Sequence, residues 1–276
     1  MKLPFNVDLS GKVAVVTGAG GVLMREFATA LATCGAKVAL IDINKSAVEE
    51  VASSIGENAL PIVADCMSKQ SLILAKEMVN AKWGKVNFLI NGAGGNNPKA
   101  TCDNEYMTEQ AKEMKNFFSL DEMGLRFVFD LNIITAFLTT QVFAEDMLET
   151  GGNIINVSSM NAFRPLTKIP AYSAAKAGIS NFTQWLAVHF APCGIRVNAI
   201  APGFFVTNQN RALLFDADGN PTARTGKILA ATPMKKFGEV EDLIGTLLWL
   251  ADDASSGFVT GTVIPVDGGF SAYSGV

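Results

Sequence analysis

Seven short apolar runs, separated by segments with helical periodicity, constrain the fold of this chain more than any other feature. Such runs, rich in β-branched residues, are typical of strands that are buried on both faces of a parallel sheet. They occupy residues 12–17, 37–41, 59–63, 86–90, 152–158, 195–200 and 262–266. Their alternation with helices predicts an α/β fold with a doubly wound, seven-stranded parallel sheet and helices on both faces.

Two segments interrupt this alternation. Residues 95–119 are polar and mixed in charge, and residues 207–234 contain a turn rich in Asp, Gly and Asn. The sequence has no internal repeat and no low-complexity linker, so we expect residues 1–276 to form one domain. Loops on a rigid sheet often carry specificity, and we therefore expect both segments to cover the functional site.

A glycine-rich turn directly follows the first predicted strand. Gly18, Gly20 and Gly21 stand between that strand and a helical segment at residues 22–33. A strand, a glycine turn and a helix in this order direct backbone N–H groups at a pyrophosphate. The sequence therefore predicts a Rossmann-type dinucleotide site.

A carboxylate ends the second predicted strand. Asp42 follows Gly18 at close to the spacing of about 20 residues that is typical of an acid accepting from the ribose hydroxyls of NAD. This carboxylate would repel the 2′-phosphate of NADP, and no Lys or Arg lies within residues 18–21, although Arg25 is close by. We therefore expect NAD(H) rather than NADP(H) as the cofactor.

Tyr172 and Lys176 lie four residues apart and so share one face of a predicted helix. A free phenol titrates near about 10, and an adjacent ammonium lowers that pKa. With Ser159 thirteen residues before the tyrosine, the pair forms a proton donor and acceptor for a carbonyl/alcohol couple. Two such side chains can also share a helix face by chance, and the dinucleotide turn is what favours the catalytic interpretation.

Both ends of the chain together resemble the short-chain dehydrogenase/reductase family, and the resemblance covers almost the whole sequence. Further marks of that family follow in the expected order: Asp65, the turn from Asn91 to Gly94, Asn132, Pro202 and Gly203 with Thr207, and residues 266–269. The resemblance implies a NAD site formed by residues of several turns. They are Gly18, Gly20, Gly21, Val22, Leu23, Asp42, Asp65, Cys66, Asn91, Gly92, Ala93, Tyr172, Lys176, Pro202, Gly203, Phe205 and Thr207.

The resemblance also implies the catalytic roles. Tyr172 would transfer the proton, while Lys176 would lower the pKa of the phenol and bind the nicotinamide ribose. Ser159, rather than the neighbouring Ser158, would hydrogen-bond the carbonyl oxygen, where negative charge grows in the transition state. Asn132 would fix a helix kink and a water that relays protons.

The glycine turn departs from the family pattern in one respect. That pattern is Thr-Gly-x-x-x-Gly-x-Gly, and here Val22 and Met24 replace its last two glycines. Gly18, Gly20 and Gly21 still permit tight turning and close approach of the backbone. We expect Met24 either to push the helix away from the strand or to repack the turn.

Four stretches resemble one branch of this family, the D-mannonate oxidoreductases of the short-chain type, also called D-fructuronate reductases. They are residues 94–100, 159–170, 204–212 and 269–276. The resemblance implies NADH-dependent reduction of a keto-hexuronate such as D-fructuronate to a hexonate such as D-mannonate. A carboxylate-bearing substrate calls for cations and polar amides. The candidates for substrate binding are Asn96, Lys99, Asn161, Lys168 and Arg211, with Arg126, Arg164, Asn97 and Asn210 as further possibilities.

Two other functions remain open at this stage. One is reduction of a different ketone, such as a 5-keto-gluconate or a 3-oxoacyl group on a carrier protein. The other is a NAD-binding sensor or scaffold without catalysis, which the complete set of four catalytic residues opposes.

Composition excludes several further classes. A formal net charge of −4 without basic runs argues against a nucleic acid partner. The four cysteines have no metal-ligand spacing and the only histidine, His189, falls on an apolar helix, so we expect no metal site and reduced thiols. No uninterrupted apolar run reaches the length of about 18 residues that a membrane span needs, so we expect a cytoplasmic protein. Broad apolar faces near 120–149 and 170–192, together with the family resemblance, imply a homotetramer or homodimer.

Overall fold

A seven-stranded, wholly parallel sheet forms the centre of the structure, a computed structural model that describes residues 7–207 and 211–275. Its strand order is β3-β2-β1-β4-β5-β6-β7. The strands are β1 (Val13–Thr17), β2 (Lys37–Asp42), β3 (Ala59–Val63), β4 (Phe88–Asn91), β5 (Gly152–Val157), β6 (Ile195–Pro202) and β7 (Val263–Val266). The predicted fold class is confirmed, with strand ends that shift by at most two residues.

Helices cover both faces of the sheet. They are α1 (Val22–Thr33), α2 (Lys45–Ile55), α3 (Lys69–Trp83), α4 (Glu122–Phe129), α5 (Thr135–Phe143), α6 (Pro170–Phe190), α7 (Arg211–Leu214), α8 (Ala223–Ala231), α9 (Glu241–Ala251) and α10 (Asp253–Ser256). Local chemistry sets several helix starts: the side chains of Asn44 and Ser68 cap α2 and α3. Pro170 occupies the first turn of α6, where no backbone donor is needed.

The core is divided by the sheet into two apolar layers. Because side chains alternate along a strand, Ala14 and Val16 of β1 face one layer, and Val13 and Val15 face the other. Helices α1, α2 and α9 complete the first layer, and α3, α5 and α6 complete the second. Burial on both faces explains why the central strands β1, β2 and β4 are rich in apolar residues.

One helical region, Glu122–Met147, is long and apolar enough to cross a membrane by length and composition. The expectation that no segment reaches this size rested on uninterrupted apolar runs. Here helices α4 and α5 join through a π-helical turn, Asp130–Ile134, and polar residues are interspersed. Half of the apolar window is buried, and α5 packs against α3, so the region forms part of the second layer of the domain.

The two segments expected to cover the site have some regular structure. Residues 95–119 contain three short 3₁₀ helices, and residues 207–234 contain α7 and α8. The Cys102 amide donates to the Lys168 carbonyl at 2.8 Å, which ties the first segment to the loop before α6. Lys227 of α8 forms an ion pair with Glu105 at 2.6 Å, which joins the two segments to each other.

Candidate active site

The candidate residues gather at the edge of the sheet where the parallel strands end. The turns after β1, β4, β5 and β6 all open at this edge, because the strands of the sheet run parallel. In open α/β sheets this edge is where ligands bind.

The turn after β1 is built for close approach of the backbone. Gly18 has φ +69°, a conformation that favours glycine, and a Cβ there would lie 3.0 Å from Cα of Ala93. The Gly20 amide donates to Oδ2 of Asp42 at 2.9 Å. Gly21 precedes α1 and no side chain caps that helix. The first amides of α1, at Val22 and Leu23, therefore have no side-chain acceptor there, and a helix start of this kind favours an anionic group.

These features fit a dinucleotide. The uncapped start of α1 suits the pyrophosphate, and the Asp42 carboxylate at the end of β2 is an acceptor for ribose hydroxyls. Bound NAD would thus be held at its phosphates by backbone N–H groups and at its adenosine half by Asp42.

Asp65 and Cys66 lie just beyond β3, which ends at Val63. Oδ1 of Asp65 accepts from the Met67 amide at 2.8 Å and so closes a tight turn. Cys66 is buried, and burial, followed by the charges of Asp65 and Asp42, raises the pKa of its thiol to about 12. The thiol therefore stays protonated and acts as a small apolar group.

Asn91 uses its side chain within the core. Its amide donates to Oγ1 of Thr140 at 3.0 Å and to Oδ1 of Asn156 at 2.8 Å, and its oxygen accepts from Thr139. Asn156 in turn donates to Thr183 of α6 at 2.8 Å. This buried network fixes the end of β4, so it is the backbone of the following turn, at Gly92 and Ala93, that faces the ligand edge.

The turn after β6 contributes another wall. Pro202 ends β6, and a Cβ on Gly203 would lie 2.5 Å from Cα of Asp267, which shows how closely the two turns pack. Phe205 is buried beneath Gly238, and Thr207 ends the first described range.

Tyr172, Lys176 and Ser159 come together at the start of α6. Tyr172 and Lys176 lie one turn apart, with the ammonium 5.7 Å from the phenol ring centroid. The Ser159 hydroxyl lies beside the Tyr172 hydroxyl and acts to lower the pKa of the phenol. Ser158 instead turns inward and contacts the Lys176 carbonyl at 3.2 Å and Ser180 at 2.8 Å. The geometry therefore favours Ser159 over Ser158 as the serine that acts together with the Tyr172 phenol.

The pKa expected for the phenol needs a correction. Burial raises the pKa of Tyr172, and only the hydrogen bond from Ser159 acts to lower it. The Lys176 ammonium is itself buried, which lowers its pKa to about 8, and it donates to the Val157 carbonyl at 2.8 Å. The sequence argument considered charge proximity alone and left out desolvation, which dominates here.

Asn132 lies in the π-helical turn between α4 and α5 and is 1% exposed. Its Nδ2 donates to the carbonyls of Gly95 and Val128, each at 2.7 Å, and its Oδ1 accepts from the Gly95 amide at 3.1 Å. Asn132 and Lys176 lie directly beneath Gly94, where a Cβ would be 2.8 Å from Oδ1 and 3.1 Å from Nζ. The distortion of the helix expected at Asn132 is thus present as a π turn.

The substrate candidates divide into two groups. Asn161 and Lys168 lie closest along the chain to the reacting groups: the Asn161 amide donates to Oγ of Ser159 at 3.3 Å, and its 3% exposed side chain has an oxygen without a partner among the described residues. Lys168 is half-buried just before α6.

Most of the other candidates already have side-chain partners. Asn96 donates to Thr101 at 2.9 Å, Lys99 is exposed beside α4, and the Arg211 guanidinium stacks 5.5 Å above Phe215. Asn97 caps a 3₁₀ helix, Arg126 pairs with Glu122 at 2.8 Å, and Arg164 donates to the Ser271 carbonyl at 3.0 Å. Asn210 lies outside the described residues.

Sequence reasoning missed Thr17, which organises the ligand edge. Its hydroxyl accepts from the amides of Gly92 at 3.0 Å and Ala93 at 3.2 Å, and donates to the Ile90 carbonyl at 3.3 Å. It thereby joins the turns after β1 and β4. Its place immediately before the glycine turn was the one signal that pointed to it.

Comparison with known proteins agrees with this geometry. A family model described as "Enoyl-(Acyl carrier protein) reductase" matches residues 23–271. An uncharacterized oxidoreductase of Haemophilus influenzae is 54% identical over 100% of this chain and 99% of its own length. The uncharacterized oxidoreductase UxuB of Bacillus subtilis is 52% identical over 99% of this chain and 100% of its own.

Among solved structures, a crystal structure from Haemophilus influenzae with bound NAD is similar over 98% of this chain and 99% of its own, with a TM-score of 0.95 and 54% identity. The crystallised protein is named as a proposed D-mannonate oxidoreductase.

Proposed function

Because this chain belongs to the short-chain dehydrogenase/reductase family and is a NAD-dependent oxidoreductase, we propose that it reduces a keto-hexuronate to a hexonate. The substrate proposed is D-fructuronate and the product D-mannonate. The observation that carries the proposed chemistry is the contact of Ser159 with Tyr172, one helical turn from Lys176. The substrate is supported by near full-length similarity to a protein named as a proposed D-mannonate oxidoreductase.

Tyr172 is the proposed general acid. In the reducing direction it would donate its proton to the carbonyl oxygen, and the chemistry that NADH would supply when bound is the hydride for the ketone carbon. Burial raises the pKa of Tyr172, which keeps the phenol protonated at neutral pH and suits it to this direction. For oxidation of the alcohol the phenol must first lose its proton, so we expect that direction to become faster as pH rises.

Ser159 and Lys176 support this proton transfer. The Ser159 hydroxyl, beside the phenol, would hydrogen-bond the same carbonyl oxygen as charge develops on it. Lys176, with its pKa lowered to about 8, would hold the nicotinamide ribose and exchange protons near neutral pH. Asn132 holds the backbone of Gly95, next to Gly94, which lies over Lys176, and would position the proton relay.

Recognition of the sugar acid is proposed to involve the loop from Ser159 to α6 and the two covering segments. Lys168 would pair with the substrate carboxylate, and Asn161 would bind a hydroxyl. The covering segments carry three further candidates, Asn96, Lys99 and Arg211. To bind the substrate, Asn96 would have to give up its hydrogen bond to Thr101, and Arg211 its contact with Phe215.

We also propose a homo-oligomer with two-fold symmetry, a tetramer or a dimer, in the cytoplasm. An aromatic ladder runs along α5 and α6: Phe137 stacks on Phe182 at 3.7 Å, and Phe182 faces Trp185 at 6.4 Å. Trp185 and Val188 are exposed, and a second copy would bury them. Light scattering of wild type and Trp185→Glu tests this proposal. If the mass of the oligomer in solution is the same for both proteins, the aromatic ladder is not part of the interface.

The direct test of the proposed function is a panel of ketones assayed with NADH. We expect the highest kcat/KM with D-fructuronate, with D-mannonate as product. A higher kcat/KM for a keto-gluconate or a 3-oxoacyl substrate would contradict the proposed substrate and leave the oxidoreductase chemistry intact.

A further inference from the structure

Two departures from the family pattern meet in space. Met24, the third residue of α1, stands where the pattern of the glycine turn has its last glycine. Residues 91–94 read Asn-Gly-Ala-Gly and resemble the family's Asn-Asn-Ala-Gly turn, so Gly92, just after β4, stands where that turn has its second asparagine. A Cβ built on Gly92 would lie 2.1 Å from Sδ and 2.5 Å from Cγ of Met24. The thioether therefore fills the volume that a side chain at position 92 would occupy.

This contact lies inside the cofactor edge. Gly92 and Ala93 donate their amides to the Thr17 hydroxyl, and Gly18 packs against Ala93. Met24 is only 4% exposed. It lies between the first turn of α1 and the turn after β4, the two elements whose backbone borders the proposed dinucleotide site.

We propose that Met24 is a positioning residue of the NAD site, and that it acts as one unit with Gly92. The Met24 side chain extends over Gly92 and belongs to the apolar layer that α1 and β1 share. In this position Met24 sets the separation of the two turns. In the family pattern the residue at the Met24 position is a glycine, and the asparagine at the Gly92 position supplies the side chain instead. The inference rests on the assignment of the cofactor site to this edge, and it is independent of the identity of the ketone.

Exchange of the two residues provides the test. Met24→Gly empties the space above Gly92, and Gly92→Asn drives a side chain into Met24. Each single variant should raise the Kd for NADH, measured by fluorescence titration without substrate, by roughly tenfold, which is within the range of coupling between residues in contact. The double variant should bind NADH more tightly than either single variant. Recovery should be partial, because a Cβ at position 92 also lies 2.7 Å from the Thr17 carbonyl.

Matched controls separate this role from general destabilisation. Met78 is exposed on α3, and a Cβ on Gly245 of α9 meets nothing within 4 Å. Met78→Gly and Gly245→Asn, alone and combined, should leave the Kd for NADH unchanged. Met78→Gly carries a helix-propensity cost of the same kind as Met24→Gly and so calibrates the change in Tm, while Gly245→Asn adds the same side chain in open space.

Additive effects in the double variant would overturn the inference, and so would single variants that lose Tm while their Kd for NADH stays at the wild-type value. If the exchanged variants do not fold, Met24→Ala and Gly92→Ala provide the same comparison in smaller steps. Failure of the wild type to bind NADH would instead contradict the cofactor site itself.

Discussion

The Gly20 amide donates to Oδ2 of Asp42 at 2.9 Å, and this bond joins the glycine turn after β1 to the end of β2. The same carboxylate is proposed to accept hydrogen bonds from the ribose hydroxyls of the cofactor. The other carboxylate oxygen accepts from the Asn44 amide at 2.9 Å. Both bonds hold the carboxylate at the ligand edge, where its negative charge disfavours a 2′-phosphate.

The first prediction concerns cofactor choice. Asp42→Ala should narrow the preference for NADH over NADPH, by roughly tenfold or more, because one close charge contact contributes about 1–3 kcal/mol. The ratio of kcat/KM for the two cofactors measures it. Glu49→Ala on neighbouring α2 removes the same charge from an exposed site and should leave the ratio unchanged. An unaltered ratio in Asp42→Ala would remove Asp42 from this role.

The second prediction concerns the substrate carboxylate. Lys168→Met should raise KM for hexuronates by roughly tenfold, as expected for loss of one charge-assisted hydrogen bond, and should leave KM for neutral ketones nearly unchanged. Lys112→Met, at an exposed lysine of the covering segment formed by residues 95–119, is the control. Equal effects on charged and neutral substrates would mean that Lys168 does not bind the carboxylate.

The third prediction concerns the buried ammonium. Burial lowers the pKa of Lys176 from 10.5 to about 8, so between these pH values the unfolded protein binds more protons than the folded one. The free energy of unfolding should therefore rise with pH in this window. Relative to Lys176→Met, wild type should gain up to about 3 kcal/mol between pH 7 and 10.5.

Denaturant unfolding of both proteins without cofactor, at several pH values, measures this difference. Comparison with the variant cancels the contribution of the cysteine thiols to the free energy of unfolding. Their raised pKa values make the folded protein less stable as pH rises above 9, the opposite of the effect of Lys176. A difference that does not change with pH would show that Lys176 titrates in the folded protein as it does in the unfolded one.

The sequence predicted the sheet well because strands buried on both faces are largely apolar, as residues 13–16 of β1 and 38–41 of β2 are. It also predicted that Tyr172 and Lys176 share a helix face, since a spacing of four residues in a helix has one geometric meaning. Both inferences depend on local pattern alone.

Features that depend on distant contacts could not be predicted in detail. The π turn around Asn132 is held by bonds to Gly95, far away in the sequence. The Asn91 side chain turns into the core because Asn156 and Thr140 accept its hydrogen bonds there. The raised pKa of Tyr172 follows from burial, a property of the assembled fold that helix spacing does not contain.

The central claim is that the Tyr172 phenol supplies the proton for ketone reduction. Turnover and NADH binding, measured together for wild type and Tyr172→Phe with the best ketone of the panel, test it most directly. We predict that the variant binds NADH with an affinity near that of wild type and loses nearly all turnover. Turnover above a tenth of the wild-type rate in Tyr172→Phe would contradict the claim.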